Sequence, residues 1–323
     1  TGSHVNSLQI ENLTGRVGQV RARAYVLACG GMENPRLLLL ARDAEPAGLG
    51  NATDMVGRFF QQHPELYVAR IVTDDTQALH QSFRFLEIPP VSMRVHMTNS
   101  PAIERQTELL NIAFELHGET DFSRGYTTLR RTALELRDGK WPDDFVDRTW
   151  TVLSDFDRIA RDLYAQASDR VSTLRVYARA EQVPNPDSRI SLSDQLDPYG
   201  QPRLKVDWQL TPFDKRSIFQ STLQFGAELA RLNLGRMKLE DWLLTEDEYW
   251  PEPVWSGCHH VGTTRMSADA TDGVVDRNCR VHSVSNLYIA GSSVFPTGGY
   301  LPPTLTIVAL ALRLADHIRE EYA

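Results

Sequence analysis

Two strand–turn–helix units, one near each end of the chain, constrain the fold more than anything between them. Residues 19–28 (Gln-Val-Arg-Ala-Arg-Ala-Tyr-Val-Leu-Ala) alternate polar and apolar, then turn wholly apolar, as a strand does on entering a buried sheet. Cys29-Gly30-Gly31 breaks the run, and residues 33–42 read as a helix with Pro35 in its first turn. Near the other end, Asn286-Leu-Tyr-Ile-Ala290 is a short buried strand and Gly291-Ser-Ser a turn. Residues 303–321 follow as a helix with Pro303 at its start and an apolar face through Leu305, Val308, Ala309 and Leu312. Paired glycines at the C-terminal end of such a strand suit a ligand pressed against the backbone, although a ligand-free tight turn accounts for them equally well.

The middle of the chain has another texture. Short β-like runs at 66–72, 171–180, 189–192 and 204–208 alternate with polar loops and helical stretches. Asn185-Pro-Asp-Ser188 and Asp197-Pro-Tyr-Gly200 are strong turn signals, which fits an antiparallel meander. Residues 213–233 have helical periodicity. The expected fold is therefore α/β, with an α+β domain on an antiparallel sheet inserted at 64–250 between two parts, 1–63 and 251–323, of one α/β domain.

Bulk properties exclude several functions. The 323 residues carry a net charge of −8 and no long basic run, which disfavours nucleic-acid binding, since phosphate neutralisation needs clustered Lys and Arg. The cysteines are Cys29, Cys258 and Cys279, an odd count without a CxxC, so neither a disulfide framework nor a cysteine-based zinc site is expected. The longest apolar run, Leu305 to Leu312, stops at Arg313 and is too short to span a bilayer. A soluble protein is expected, with the cytoplasm favoured. The start at Thr-Gly-Ser-His, with no Met, reads as the middle of a longer protein.

The chemistry concentrates in Cys258-His259-His260-Val-Gly-Thr-Thr-Arg-Met266. An imidazole titrates near working pH, so His259 or His260 can take a hydroxyl proton. The unpaired N–H groups at the start of the 303–321 helix can face an anionic ring. A bare His-His is more often a hydrogen-bonded structural pair. No carboxylate or Cys spacing around it suggests a metal. Arg265 reads as a surface charge, and Asp276 and Asn278 as turn residues.

Taken in order, these segments resemble the glucose–methanol–choline (GMC) oxidoreductases, FAD-dependent enzymes that oxidise alcohols and sugars. The matching stretches are His259–Met266, Gly273-Val-Val-Asp-Arg-Asn-Cys-Arg-Val281 and Asn286 through Thr306. Upstream they are Val26-Leu-Ala-Cys-Gly-Gly-Met-Glu-Asn-Pro-Arg-Leu37, Val56-Gly-Arg-Phe-Phe-Gln-Gln-His-Pro64 and Glu181–Leu192. The resemblance implies a Rossmann-like FAD-binding domain, incomplete here, and an inserted substrate domain. It implies His259 as the base while hydride passes to flavin N5, with His260 secondary. Gly30, Gly31 and Asn34, with Ala290, Gly291 and Ser292, would lie along the cofactor. Pro303 and Thr304 would start the helix beneath the flavin ring. The implied substrate is an alcohol, a sugar or polyol foremost. The electron acceptor that reoxidises the flavin is left open.

Two departures stand out. The family's Gly-x-Gly-x-x-Gly unit, which holds the ADP half of FAD, is missing. The missing segment would come from the same chain, of which this is then a fragment, or from a partner. And the position where the family carries a His or Asn beside the base is Pro302, which has no side-chain donor or acceptor. Tyr300 is the first candidate to take over that role. Two other functions stay open: a lyase-like or degenerate relative with the flavin only structural, and a non-catalytic subunit completing another chain's flavin site.

Overall fold

The run at residues 19–28 is not one strand. In the computed structural model, which describes residues 2–83, 86–93, 95–119, 122–167, 171–245, 249–252 and 254–323, it divides in two. β1 (Leu8–Glu11) and β2 (Val17–Val20) pair as an antiparallel, solvent-exposed hairpin. Asn12 closes it, its Oδ1 accepting from the backbone N–H groups of Thr14 and Arg16. β3 (Tyr25–Leu27) is separate. The break has a local cause: the Tyr25 hydroxyl accepts the Ala22 N–H at 2.9 Å, so that amide is satisfied by a side chain instead of a ladder.

α1 (Gly30–Leu40) begins three residues earlier than its apolar pattern suggests, and Pro35 therefore lies inside the helix instead of in its first turn. A proline there removes the N–H that would bond the carbonyl four residues back. That carbonyl belongs to Gly31, and the buried Thr263 hydroxyl donates to it at 2.6 Å. A residue 232 positions away thus repairs the helix.

The middle of the chain builds a second core. Its elements are β4 (Pro64–Val72), α2 (Thr76–Ser82), a small hairpin of β5 (Leu86–Ile88) and β6 (Val91–Met93), β7 (Met97–Thr98), α3 (Pro101–Thr107), β8 (Ile112–Glu119), the helices α4 (Arg124–Arg137), α5 (Phe145–Ser154) and α6 (Phe156–Ala167), and β9 (Thr173–Ala180). A hairpin of β10 (Arg189–Leu196) and β11 (Pro202–Asp207), α7 (Pro212–Arg231), β12 (Arg236–Leu239) and β13 (Trp255–Ser256) complete it. The strands form an antiparallel sheet ordered β12-β4-β9-β8-β7, with β13 also on β4. Period-two alternation gives this sheet two unlike faces. Leu66, Ile112, Phe114, Leu116, Leu174, Val176 and Ala178 join Ile218, Phe225 and Leu229 of α7 in one apolar core. The alternate positions Glu65, Tyr67, Glu115, His117, Arg175, Tyr177 and Arg179 share the opposite face. α7 is started by a capping box between Thr211 and Asp214, with Pro212 in its first turn. The hairpin β10–β11 leaves the sheet and packs on α1, where Arg36 Nη2 meets Asp197 at 2.6 Å.

The last section returns to the first core. β14 (Leu287–Ile289) pairs in parallel with β3, Tyr288 opposite Val26. Leu38, Val56, Val261, Val281 and Leu314 pack around this pair. α8 (Thr304–Tyr322) follows. The side it turns inward is Ile307, Leu310, Leu314 and Ile318, whereas Leu305, Val308 and Leu312 are exposed. This corrects the expected apolar face. The helix is apolar on two opposite sides, and periodicity alone does not choose between them. The fold is mixed α/β with an antiparallel sheet, as expected.

Replacing Thr263 by Val should cost about 1–3 kcal/mol, because the buried Gly31 carbonyl loses its donor. In a Pro35→Ala background the restored N–H should make the same replacement nearly neutral. Urea unfolding of the four proteins of this double-mutant cycle measures both effects.

Candidate active site

Two backbone segments clamp together to make the site. Gln61 and Val261 exchange N–H···O bonds at 3.1 and 2.9 Å, and Gly257 N donates to His63 O at 3.2 Å. Residues 257–262 therefore run antiparallel to 59–63. The approach is close enough to require glycine. A Cβ on Gly262, whose φ is +90°, would collide with the carbonyl of Phe59, and one on Gly31 would collide with that of His260. Cys258, immediately before the His pair, holds φ +52° and Phe59 holds φ +58°, both costly for residues with side chains. Between these kinks the two His side chains part company. His259 faces His63, their ring centroids 5.1 Å apart and edge-on. The His260 ring stacks on Phe60 instead, at 5.6 Å. The His260 carbonyl accepts from Ser292 Oγ at 2.7 Å.

Burial first, and neighbouring charge second, favours the neutral form of these rings. Burial, the His259 ring and Arg179 push His63 down to about 4, against Glu65 and the Leu301 backbone. His259 is lowered by burial first and by Arg179 second, with Glu65 opposing. His260 is lowered by burial and then by His259. His259 Nδ1 is buried without a hydrogen-bond partner. Beside it, Glu65 accepts from Tyr177 Oη at 2.7 Å and from Arg179 Nε at 2.6 Å.

The other expected site residues fall into two groups. Gly30 (φ +82°) and Gly291 (φ +113°) meet at the C-terminal ends of the parallel strands β3 and β14. A Cβ on Gly30 would touch nothing within 4 Å, and one on Gly291 would reach only Asn34 Nδ2 and Gly30 Cα at 3.9 and 4.0 Å. This is open backbone. Ala290 is half-buried beside it, and α8 starts at Thr304 after Pro303 with no side chain capping its first turn. Asn34 faces inward instead. It is fully buried, its Oδ1 accepting from Cys29 N at 2.8 Å and its Nδ2 donating to Ala290 O and Ser293 Oγ. It joins the two turns and presents no group to a ligand. Ser292 is likewise spent on His260. Tyr300 is half-buried, and among the described residues no hydrogen bond or ring contact joins it to His259. Its loop is braced by Glu181, which accepts from Gly299 N at 3.0 Å and from Asn111 Nδ2 at 2.6 Å. Arg265 lies over the Phe59 ring at 4.3 Å, and Asp276 caps its own turn through Asn278 N and Arg280 N.

His63, Glu65, Tyr177 and Arg179 were not singled out from the sequence. The available signal was the alternation Thr173-Leu-Arg-Val-Tyr-Ala-Arg-Ala180, which sets Arg175, Tyr177 and Arg179 on one face, opposite strand partners in 65–70.

Several known proteins are similar to this chain. Residues 184–311 match the family model described as GMC oxidoreductase. The fructose dehydrogenase large subunit of Gluconobacter japonicus is 27% identical over 303 residues, 93% of this chain and 48% of that protein. The paromamine 6'-oxidase of Streptomyces fradiae is 26% identical over 301 residues, 93% of this chain and 46% of that protein. The crystal structure of pyridoxine 4-oxidase from Mesorbium loti shares the fold, with a TM-score of 0.52 at 17% identity over all of this chain and 56% of that one. The chain is similar to the GMC oxidoreductases, a family that uses FAD, and its residues 184–311 match that family's C-terminal model. It spans about half the length of the curated relatives it matches. Among the described residues no helix is long and apolar enough to cross a membrane, and no group of His, Cys, Asp and Glu is placed to hold a metal ion.

The burial of His63 makes stability depend on pH. The unfolded chain protonates this ring below about 6.5, the folded protein only below about 4. The stabilisation is therefore complete above pH 6.5 and is lost as pH falls toward 4, by about 3 kcal/mol in all. Urea midpoints measured from pH 7 to pH 4 should fall, and His63→Asn should flatten the fall.

Proposed function

We propose that the protein containing this chain oxidises a carbinol of a sugar or polyol, with FAD as cofactor and His259 as the base. One observation carries the reading. His259 is an imidazole whose neutral form burial favours, with Nδ1 unpartnered, in a segment packed through its neighbour His260 against Gly31 and Ser292. The names of the relatives, a fructose dehydrogenase subunit and a paromamine oxidase, support the substrate class.

When bound, the flavin supplies the acceptor for the hydride. The residues of this chain do the rest. Gly30, Gly31, Ala290 and Gly291 would give the cofactor close backbone contact, and the first turn of α8, from Pro303 and Thr304, would offer N–H groups to its electron-poor side. His259 takes the hydroxyl proton as the carbinol carbon is oxidised. His63 stands where it limits solvent access to that ring. The sheet face of Tyr67, Arg175, Tyr177 and Trp255 continues from His259 and offers aromatic surface and charged hydrogen-bonding groups to a hydroxyl-rich molecule. The 64–250 section is thus the substrate side, and 1–63 with 251–323 the cofactor side, completed by a segment outside this chain.

His259→Gln in the full-length protein should lower kcat by about 10²–10⁴-fold, the range removed with a general base, while the flavin spectrum is retained. The wild-type kcat/KM should rise with pH through the depressed His259 value and then level off, because the base must be unprotonated. Anaerobic bleaching of the flavin by sugars and polyols measures both. Normal bleaching in the variant would remove His259 from this role. A flavin that no alcohol bleaches would leave only a non-redox function.

A further inference from the structure

Gly257 lies where three polar side chains converge. A Cβ built there would sit 2.9 Å from Glu65 Oε1, 3.0 Å from His259 Nδ1 and 3.4 Å from His63 Cδ2. Glu65 Oε1 and His259 Nδ1 are consequently no more than about 6 Å apart, the span of one bridging water with two ordinary hydrogen bonds. The two atoms are not alike in their surroundings. Nδ1 is buried with no partner in the protein, and a buried ring nitrogen requires one. The Glu65 carboxylate is fixed from behind by the Tyr177 hydroxyl on Oε2 and the Arg179 guanidinium on Oε1. Strand register enforces this arrangement, with Glu65 opposite Arg179 and Tyr67 opposite Tyr177.

We propose that Glu65 is a positioning residue for His259, holding its Nδ1–H through one water in the notch beside Gly257 and so leaving Nε2 to receive the substrate proton. The charge of the partner favours one tautomer. The carboxylate accepts one proton of the water, and the arrangement in which the water's oxygen accepts the Nδ1–H places that polarised proton toward the negative charge and leaves the lone pair on Nε2. In the step itself the hydroxyl O–H bond breaks and its proton adds to Nε2, while the Nδ1 proton stays in place. The resulting imidazolium then faces a carboxylate. Gly257 is required because any side chain there would fill the place the two groups share.

Four groups face His259: His63 from the segment before β4, Glu65 from β4, Arg179 from β9, and His260 beside it in the chain. Arg179 and Glu65 act in opposite senses on the ring, Arg179 against its protonation and Glu65 in favour. Their ion pair is therefore a setting for the base as well as a strap between β4 and β9.

The proposal rests on His259 being the base, and the test separates the two. In full-length protein carrying ring-labelled histidine, with the His259 signal assigned by its loss in His259→Gln, NMR follows the titration of that ring. Glu65→Gln, which keeps the shape of the side chain, should move the His259 midpoint to lower pH, and Arg179→Met should move it to higher pH. Glu65→Gln should also lower kcat by about tenfold with a smaller change in KM, and Gly257→Ala should cost about 100-fold, as displacement of a reacting group by about 1 Å does. Opposite movements are the signature, since a general loosening of the site would move both variants the same way. An unmoved His259 midpoint in Glu65→Gln, or a shift of the same sign in both variants, overturns the role of Glu65 even if His259→Gln is inactive. Normal turnover in His259→Gln overturns the base itself.

Discussion

The close antiparallel contact between residues 59–63 and 257–262 is the constraint on which the rest depends. It exists because Gly262 and Gly31 have no side chain where the carbonyls of Phe59 and His260 pass. Those approaches hold the His pair between two cores that share no strand. On one side stand α1 and the turn after β14, on the other the charged end of the antiparallel sheet. Each core could form around other sequences. The position of His259 relative to both could not survive even a methyl group at these glycines.

Much of this was legible in the residues. The short strand β14, the strands β4 and β9 and the long helix α7 follow from periodicity and from turn and cap residues, which act locally, whereas the parallel pairing of β14 with β3 appears only in the structure. What failed shows where local reasoning ends. The start of α1 was missed because its proline is compensated by Thr263, far away in sequence. The inward side of α8 was reversed because both sides are apolar and tertiary contact decides. Asn34 looked like a ligand-facing residue in a glycine-rich turn, yet its amide is used entirely within the protein.

The site shows the same division. The His pair was visible because His-His before Gly-Thr is unusual. Its surroundings were not, because Glu65, Tyr177 and Arg179 come from strands more than one hundred residues apart and meet only through register. Charged residues at alternate positions of a strand normally face water. Here they form a half-buried row in which Arg179 bonds Glu65 and approaches Glu115, and the charges balance along the sheet. Such a row tolerates burial because each charge has a partner, and removal of one leaves another exposed to a low dielectric.

The buried carboxylate of Glu181 has a mechanical consequence. It holds Asn111 at the end of the sheet with one oxygen and the amide of Gly299 with the other. The lead-in to α8 is thereby moored to the opposite core, five residues before the helix begins. Any rocking of one core against the other must pull on this short tether first, so the start of α8 inherits the stiffness of a sheet to which it does not belong.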